Sequence, residues 1–355
     1  MQSEIFFKDR KTKNNLEIVD FFSVRFSDVF AALAHNSNLV FNSVTAHDSL
    51  CDFEFTHVEG FKHIMSLDNS FSSGPDDISA VLVKCSRCLL PCFLEDPWYF
   101  PSCWKLAYIS PIYKDGDRHN VVNCRLISLL NVFAKVFESL IKEKMMDRVV
   151  HIFSCNQHAY LRGRSTVSNL MFFTEYVTSA LDTGKQVDAV YLDFSKAFNK
   201  VDHSILIKKL RMYGFKGKFL GLLASASVNI VSRVPQGFIL GPVLFGLFIN
   251  DSFTVVTFCM ILGYADETKL FLTIECIEDT MDLQLDLIAV AAWSERKRLP
   301  HNVGECAVLP FVHDRNTFDA GYYLQDEHLK RVTTMKDLGV FYSSDLSFRA
   351  RILCD

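Results

Sequence analysis

The chain has 355 residues, 49% hydrophobic and 22% charged, and its 37 Lys+Arg against 41 Asp+Glu leave a formal charge of −4. That length accommodates one large or two medium domains, and the composition is globular. The near balance of charge excludes a uniformly basic surface but leaves room for a local basic groove. The longest apolar run, Phe238 to Ile249, is 12 residues and contains Gly241, Pro242 and Gly246. A membrane-spanning helix needs roughly 18 or more, so no membrane partner is expected. The first ten residues carry an early acid and no apolar stretch of signal-peptide length, which points to an intracellular chain, nuclear or cytoplasmic. Eleven cysteines fit reduced thiols. Cys85-x-x-Cys88 with Cys92 has zinc-like spacing but lacks a second ligand pair.

In chain order, residues 1 to 15 are polar and basic and are expected to fray. Short helices are expected around Phe21–Leu33 and Val58–Leu67. A turn follows at Phe71–Asp77, then a helix over Ile78–Leu90 that Pro91 and Pro97 close. Trp104–Lys114 alternates as a strand, with hairpin-type turn chemistry at Asp115-Gly116-Asp117. Leu129–Val150 has one apolar helical face, and a second helix covers Ser165–Asp182. Ala189–Leu192 is a short apolar strand ending at Asp193. Asp202 caps a helix over His203–Tyr213. Pro242 opens a helix through Phe248. Phe258–Tyr264 and Thr268–Thr273 read as strands joined by Ala265-Asp266-Glu267, and Thr280–Glu295 is a further helix. Strands interleaved with helices give α+β or α/β.

Asp193 flanks a strand and Asp266 and Glu267 share a tight turn. If the two strands are neighbours in one sheet, Asp193 and Asp266 converge. Oxygen ligands of that kind suit Mg²⁺, which accepts one or two carboxylates plus substrate phosphates. Two such ions about 4 Å apart can stabilise attacking and leaving oxygens in phosphoryl or nucleotidyl transfer. From Ser195 to Lys218, seven cations (Lys196, Lys200, Lys208, Lys209, Arg211, Lys216 and Lys218) face one acid, Asp202, a local charge of +6 over 24 residues. A solvated helix face accounts for such a run; beside a metal-type carboxylate it also fits a groove for nucleic-acid phosphates.

Taken in order, these segments resemble the reverse transcriptases of non-LTR, LINE-type retrotransposons, the jockey-like group in particular. The matching pieces are Ser73-Gly-Pro-Asp-Asp-Ile78, Trp104 through Asp117, Asn123-Cys-Arg-Leu-Ile-Ser-Leu-Leu-Asn131, and Gln157-His-Ala-Tyr-Leu-Arg-Gly-Arg-Ser-Thr166. They continue with Asp193-Phe-Ser-Lys-Ala-Phe198, Val201-Asp-His203, Val234-Pro-Gln-Gly237, Leu240-Gly-Pro242 and Ile249-Asn-Asp251. Tyr264 through Leu270, Trp293 and Asp337-Leu-Gly-Val340 complete the set. The resemblance covers about residues 16 to 350 and implies an α+β right-hand polymerase of fingers, palm and thumb. By it, residues 1–70 are an N-terminal extension, 71–185 fingers with part of the palm, 186–275 palm, and 276–355 the end of the palm with part of the thumb. Asp193 and Asp266 would be the metal ligands for two Mg²⁺ ions (Mn²⁺ as a substitute), with Glu267 beside them in the catalytic set. Phe198 would be the steric gate against a ribose 2′-hydroxyl. Gln236 and Gly237 would lie against nucleotide and template, and Lys114 and Arg125 would face the triphosphate. The implied partners are an RNA template, a DNA primer and dNTPs.

The departures are specific. The family's Tyr-Ala-Asp-Asp turn ends here in Glu267, whose carboxylate reaches about 1.5 Å further. Asn302-Val-Gly-Glu305-Cys306 puts an acid where the family carries a lysine, a candidate general acid for the leaving pyrophosphate. Asn199 replaces an acid, Asp77 replaces glycine and the stretch from Phe215 to Val234 is short, and the family's N-terminal endonuclease domain is expected to be absent. Two expectations follow: an RNA-directed DNA polymerase, or a catalytically inactive retroelement remnant that at most binds nucleic acid.

Overall fold

The computed structural model describes residues 4–30, 54–70, 73–86, 101–114, 116–195, 197–229, 238–312 and 318–346. The chain divides into two units, one of residues 1–149 with 201–244, the other of 150–200 with 245–355. Each mixes helices with small sheets, so the class is α+β.

The first unit opens with a hairpin rather than a frayed end: β1 (Ile5–Phe7) pairs antiparallel with β2 (Arg10–Thr12). Each strand is three residues long, too short for its pattern alone to announce the hairpin. Phe7 packs on Phe21 of α1 (Asn15–Phe30), and the Arg10 guanidinium lies over the Phe21 ring. Helix α2 (His57–Met65) has a full capping box between Thr56 and Glu59. Helix α3 covers Ala80–Cys85, shorter than expected, and Cys88 and Cys92 lie outside the described residues.

β3 (Ala107–Tyr113) and β4 (Cys124–Leu130) form a seven-rung antiparallel ladder. Their connection runs through a 3-10 turn at Val121–Asn123, longer than the tight Asp-Gly turn suggested. Leu129 and Leu130 therefore belong to a strand. Helix α4 (Val132–Val149) starts after Asn131, whose Oδ1 accepts the Ala134 amide at 2.7 Å. Gly74 is required next to it: a Cβ there would meet the Asn131 Cα at 2.5 Å. Helices α6 (His203–Met212), capped by Asp202, and α7 (Gly217–Asn229) follow. Helix α8 (Gly241–Ile249) is anchored at its start by Glu138 of α4, which is 4% exposed and accepts the Ile239 and Leu240 amides at 2.6 and 3.3 Å. Burial pushes the Glu138 carboxyl up to about 7 despite those donors.

The second unit is built on a five-stranded sheet. Its members are β5 (Gln186–Leu192), β6 (Met260–Tyr264), β7 (Glu267–Ile274), β8 (Ala307–Phe311) and β11 (Lys330–Arg331), in the order β11-β8-β5-β7-β6. Only the β11–β8 pair is parallel. Helix α5 (Thr166–Asp182) lays Phe173, Val177 and Leu181 on the sheet against Val187, Ala189, Phe271, Leu309 and Phe311. Phe173 makes edge-on contacts with Phe271, Phe311 and Tyr342 at 5.0, 5.7 and 5.4 Å between centroids. Helix α9 (Ile277–Lys297) contributes buried Leu283, Leu287, Val290 and Trp293. Two hairpins end the unit, β9 (Tyr323–Leu324) with β10 (Glu327–His328), and β12 (Thr334–Asp337) with β13 (Val340–Ser343). Among the described residues no helix is long and apolar enough to cross a membrane.

Candidate active site

The last rung of the β5–β7 ladder pairs Leu192 with Thr268, so Asp193 emerges directly beside the β6–β7 turn. That turn has two residues, Ala265 and Asp266, because Tyr264 pairs with Glu267. Glu267 is thus the first residue of β7, not part of the turn. Ala265 sits at φ 58°, a left-handed conformation that a two-residue hairpin demands and glycine adopts most easily.

The hairpin is braced from below. His158 N donates to Gly263 O at 2.9 Å, Gly263 N to Asn156 O at 2.9 Å, and buried Gln157 accepts the Ala265 amide at 3.3 Å. Gly263 allows this approach, since a Cβ there would meet the Phe253 ring at 2.5 Å. The Tyr160 hydroxyl is held well above its ordinary range by burial, with the charge of Asp266 adding to it. Gln157 and Tyr160 lie in a segment whose resemblance was visible in sequence. The role of Gln157 as a support of the turn was not, because it depends on a contact about a hundred residues away.

A second loop clamps the other carboxylate. Asn302 N donates to Asp193 O at 2.9 Å, Ser195 N to Pro300 O at 2.9 Å, and the Asp193 amide points to Cys306 Sγ at 3.5 Å. Glu305 ends the 3-10 turn that leads into β8, and its carboxyl hydrogen-bonds that of Asp193. Burial raises the Asp193 carboxyl most; the Glu305 bond and the charges of Asp266, Glu305 and Glu267 raise it further, to about 7. Glu267 is also raised, by burial first and by Asp266 next. Four carboxyl groups therefore crowd one edge of the sheet, where they repel unless a proton or a cation intervenes. Among the described residues no group of three or more His, Cys, Asp or Glu side chains is arranged to hold a metal ion.

Phe198 lies in the turn Ala197–Lys200, half-buried and stacked on Phe245 at 4.5 Å with 29° between the rings. Lys200 donates to Ser195 Oγ at 3.1 Å, and burial lowers its ammonium from the ordinary lysine range. On α6, Arg211 is exposed and Lys208 half-exposed, whereas Lys209 is buried at 2% exposure and so departs from the exposed basic face expected of it. Lys114 and Arg125 are exposed on the β3–β4 ladder of the first unit, on the same face and within two rungs of each other. Lys196, Gln236 and Gly237 lie outside the described residues.

Other matched pieces have structural work. The Asp251 carboxylate accepts Trp293 Nε1 at 2.8 Å and pairs with Lys297 at 2.9 Å, while Asn250 bonds Ser154 N and Ile152 O, both at 2.8 Å. His301 stacks on Phe194 at 4.7 Å, is buried, and neither ring nitrogen has a hydrogen-bond partner. Burial lowers it to about 4.

The sheet edge joins a strand-end aspartate to an aspartate in a two-residue hairpin, and sequence comparison gives the family in which it occurs. The profile described as "Reverse transcriptase (RNA-dependent DNA polymerase)" matches residues 112–312, more than half of the chain, and the chain belongs to that family. Relatives include the probable RNA-directed DNA polymerases of transposon BS and transposon X-element from Drosophila melanogaster. These are 29% identical over 70% of this chain and 27% over 72%, covering 31% and 30% of the relatives. The RNA-directed DNA polymerase of mobile element jockey from the same organism is 28% identical over 72% of this chain and 31% of its own length. The chain thus spans about a third of the length of the curated relatives it matches. Among solved structures, apo telomerase from Candida tropicalis, truncated from its C-terminal domain, aligns with a TM-score of 0.46. That alignment is 9% identical over 70% of this chain and 55% of the other.

Proposed function

We propose that this chain is a nucleic-acid-binding domain derived from a retrotransposon reverse transcriptase, one that grips a primer–template while its nucleotidyl transfer is slow or lost. The observation that carries this reading is the Glu305–Asp193 contact. A carboxyl group occupies the position where the resemblance calls for a lysine, and it adds to the burial that raises the carboxyl of the aspartate that should hold a metal. The five-stranded sheet is taken as the palm, and Lys200, Lys208 and Arg211 as cations that meet the phosphate backbone.

Mutual repulsion of carboxylates is the donor chemistry an oxygen-seeking divalent ion relieves. Asp193 and Asp266 fit Mg²⁺ or Mn²⁺, and two carboxylates are enough where dNTP phosphates and water complete the shell. When bound, such ions neutralise charge on attacking and leaving oxygens. Around them Phe198 would exclude a 2′-hydroxyl, and Gln236 and Gly237 would face the nucleotide. Lys114 and Arg125 would steady the triphosphate. Glu305 would hold a proton on Asp193 and repel the leaving pyrophosphate. The convergence of Asp193 and Asp266 on one sheet edge favours a second reading, an active RNA-directed DNA polymerase using an RNA template, a DNA primer and dNTPs.

Fluorescence anisotropy with an oligo(dT)–poly(rA) duplex, followed by primer extension with Mg²⁺ and then Mn²⁺, separates the readings. Binding without appreciable extension is the expected result. Efficient extension by the parent chain would establish the second reading, and absence of binding would sink both.

A further inference from the structure

Three times in the sequence an arginine stands three residues before a serine or threonine, the spacing that arginine-directed protein kinases read. The pairs are Arg125 with Ser128, Arg162 with Ser165, and Arg331 with Thr334. The fold disables two of them. Ser128 is buried within β4 at 5% exposure. Arg331 is engaged by Asp188 and Asp319 and donates to Ala320 O at 2.6 Å, so it is not free to mark Thr334 for a second protein. At the remaining pair, Arg162, Gly163, Arg164 and Ser165 are all exposed, in the loop that leads into α5. Gly163 has φ 79° and nothing within 4 Å of the place a Cβ would take, so this point of the loop stands clear of the fold. Ser165 is extended, with φ −158° and ψ 175°, the backbone form in which a peptide segment lies along a binding cleft. Its Oγ accepts the Ser168 amide at 3.2 Å as the cap of α5, a bond that uses a lone pair and spares the O–H.

From this accessibility we infer that Ser165 is a phosphorylation site for an arginine-directed protein kinase using ATP, with Arg162 as the recognition contact. Ser165 Oγ attacks the γ-phosphorus of ATP. The bond from that phosphorus to the bridging oxygen of the β-phosphate breaks, ADP leaves, and the hydroxyl proton passes to the catalytic aspartate of the kinase. The product adds a charge of about −1.5 to −2 at the start of a 17-residue helix whose first turn carries no acid. Free amides and the helix dipole favour an anion there, and Arg162 and Arg164 flank it as counter-charges. The loop is also close to the candidate active site in terms of contacts. Arg164 lies 3.4 Å from His158 Nε2, and His158 N donates to Gly263 O beneath the hairpin that carries Asp266.

Incubating the full chain with ATP, Mg²⁺ and, in parallel, calmodulin-dependent and cyclic-AMP-dependent protein kinase tests this, with the product mapped by mass spectrometry. Phosphate on Ser165 is the expected result, and Ser165→Ala should remove it. Arg162→Ala leaves the cap intact and should lower the initial rate at least about tenfold, the loss of one charge-assisted contact. The phosphorylated chain should melt about 1–3 °C above the unmodified one. A chain that takes no phosphate from either kinase, or takes it at Ser128, Thr166 or Thr334 in preference to Ser165, overturns the proposal. Equal rates for the parent and Arg162→Ala overturn the recognition contact, and a lowered melting temperature overturns the stabilising place of the phosphate on α5.

Discussion

His301 is a polar ring in an apolar slot, and two unsatisfied nitrogens there cost stability that an aliphatic side chain would not. His301→Leu should raise the denaturation midpoint. The parent should also lose stability as pH falls from about 6.5 towards 4, because in that window the unfolded chain binds a proton that the folded chain refuses. A shift of this size corresponds to roughly 3 kcal/mol. Glu138 acts with the opposite sign. Its folded carboxyl keeps a proton up to about 7 that the unfolded chain releases near 4.5, so stability falls as pH rises between those values. Glu138→Gln should abolish that fall while still accepting the Ile239 and Leu240 amides. Urea denaturation against pH for the parent and both variants checks each sign. A pH slope unchanged in either variant would reassign it to other groups. At this scale Asp193 and Asp266 were legible in the sequence, because a strand end and a tight turn are local signals. The Glu305–Asp193 bond and the isolation of His301 were not, since both depend on a loop more than a hundred residues from β5.

Several helices were the easiest elements to read, because amphipathic periodicity and a cap such as Asp202 are written within a single turn. The β1–β2 hairpin was missed because its strands are three residues long, too short for an alternating pattern to show; Phe7 and Arg10 fix it only by packing on Phe21. Helix α6 shows the limit of charge counting. Its sequence suggests one basic face, yet Lys209 turns inward. Charge reversal should therefore be confined to Lys208 and Arg211. If both meet phosphates, the pair should reduce the slope of log K against log salt by about 1.5 to 2. A slope equal to the parent's would make them ordinary solvated cations. The β6–β7 hairpin gives a steric test. Gly263→Ala drives a methyl group into Phe253 and should destabilise the second unit by about 1–3 kcal/mol, read from its thermal midpoint.

For the molecule as a whole, the decisive question is whether two side chains hold back an otherwise assembled polymerase. Glu267→Asp withdraws one carboxylate by a methylene, and Glu305→Lys frees Asp193 while supplying a proton donor, a role typically worth about 10²–10⁴-fold. The double variant should extend a primer at least about ten times faster than the parent, with a divalent ion required and Asp193→Asn abolishing the gain. If the double variant folds, binds the duplex and extends nothing, the short stretch between Phe215 and Val234 becomes the principal suspect.

Lys269 bears on how much of the chain must be made before the sheet can exist. It lies buried on β7, between β5 and the edge strand β6, over the Phe173 ring at 4.5 Å, and its ammonium is paired with Asp337 at the end of β12. A ribosome that stopped after residue 333 would release a polypeptide with every strand of the five-stranded sheet and no counter-charge for that lysine. The abandoned ammonium would cost several kcal/mol in so dry a place. Termination between residues 333 and 337 should thus yield aggregates rather than a folded domain. Lys269→Met, which removes the charge and keeps the packing, should return part of the truncated product to solution.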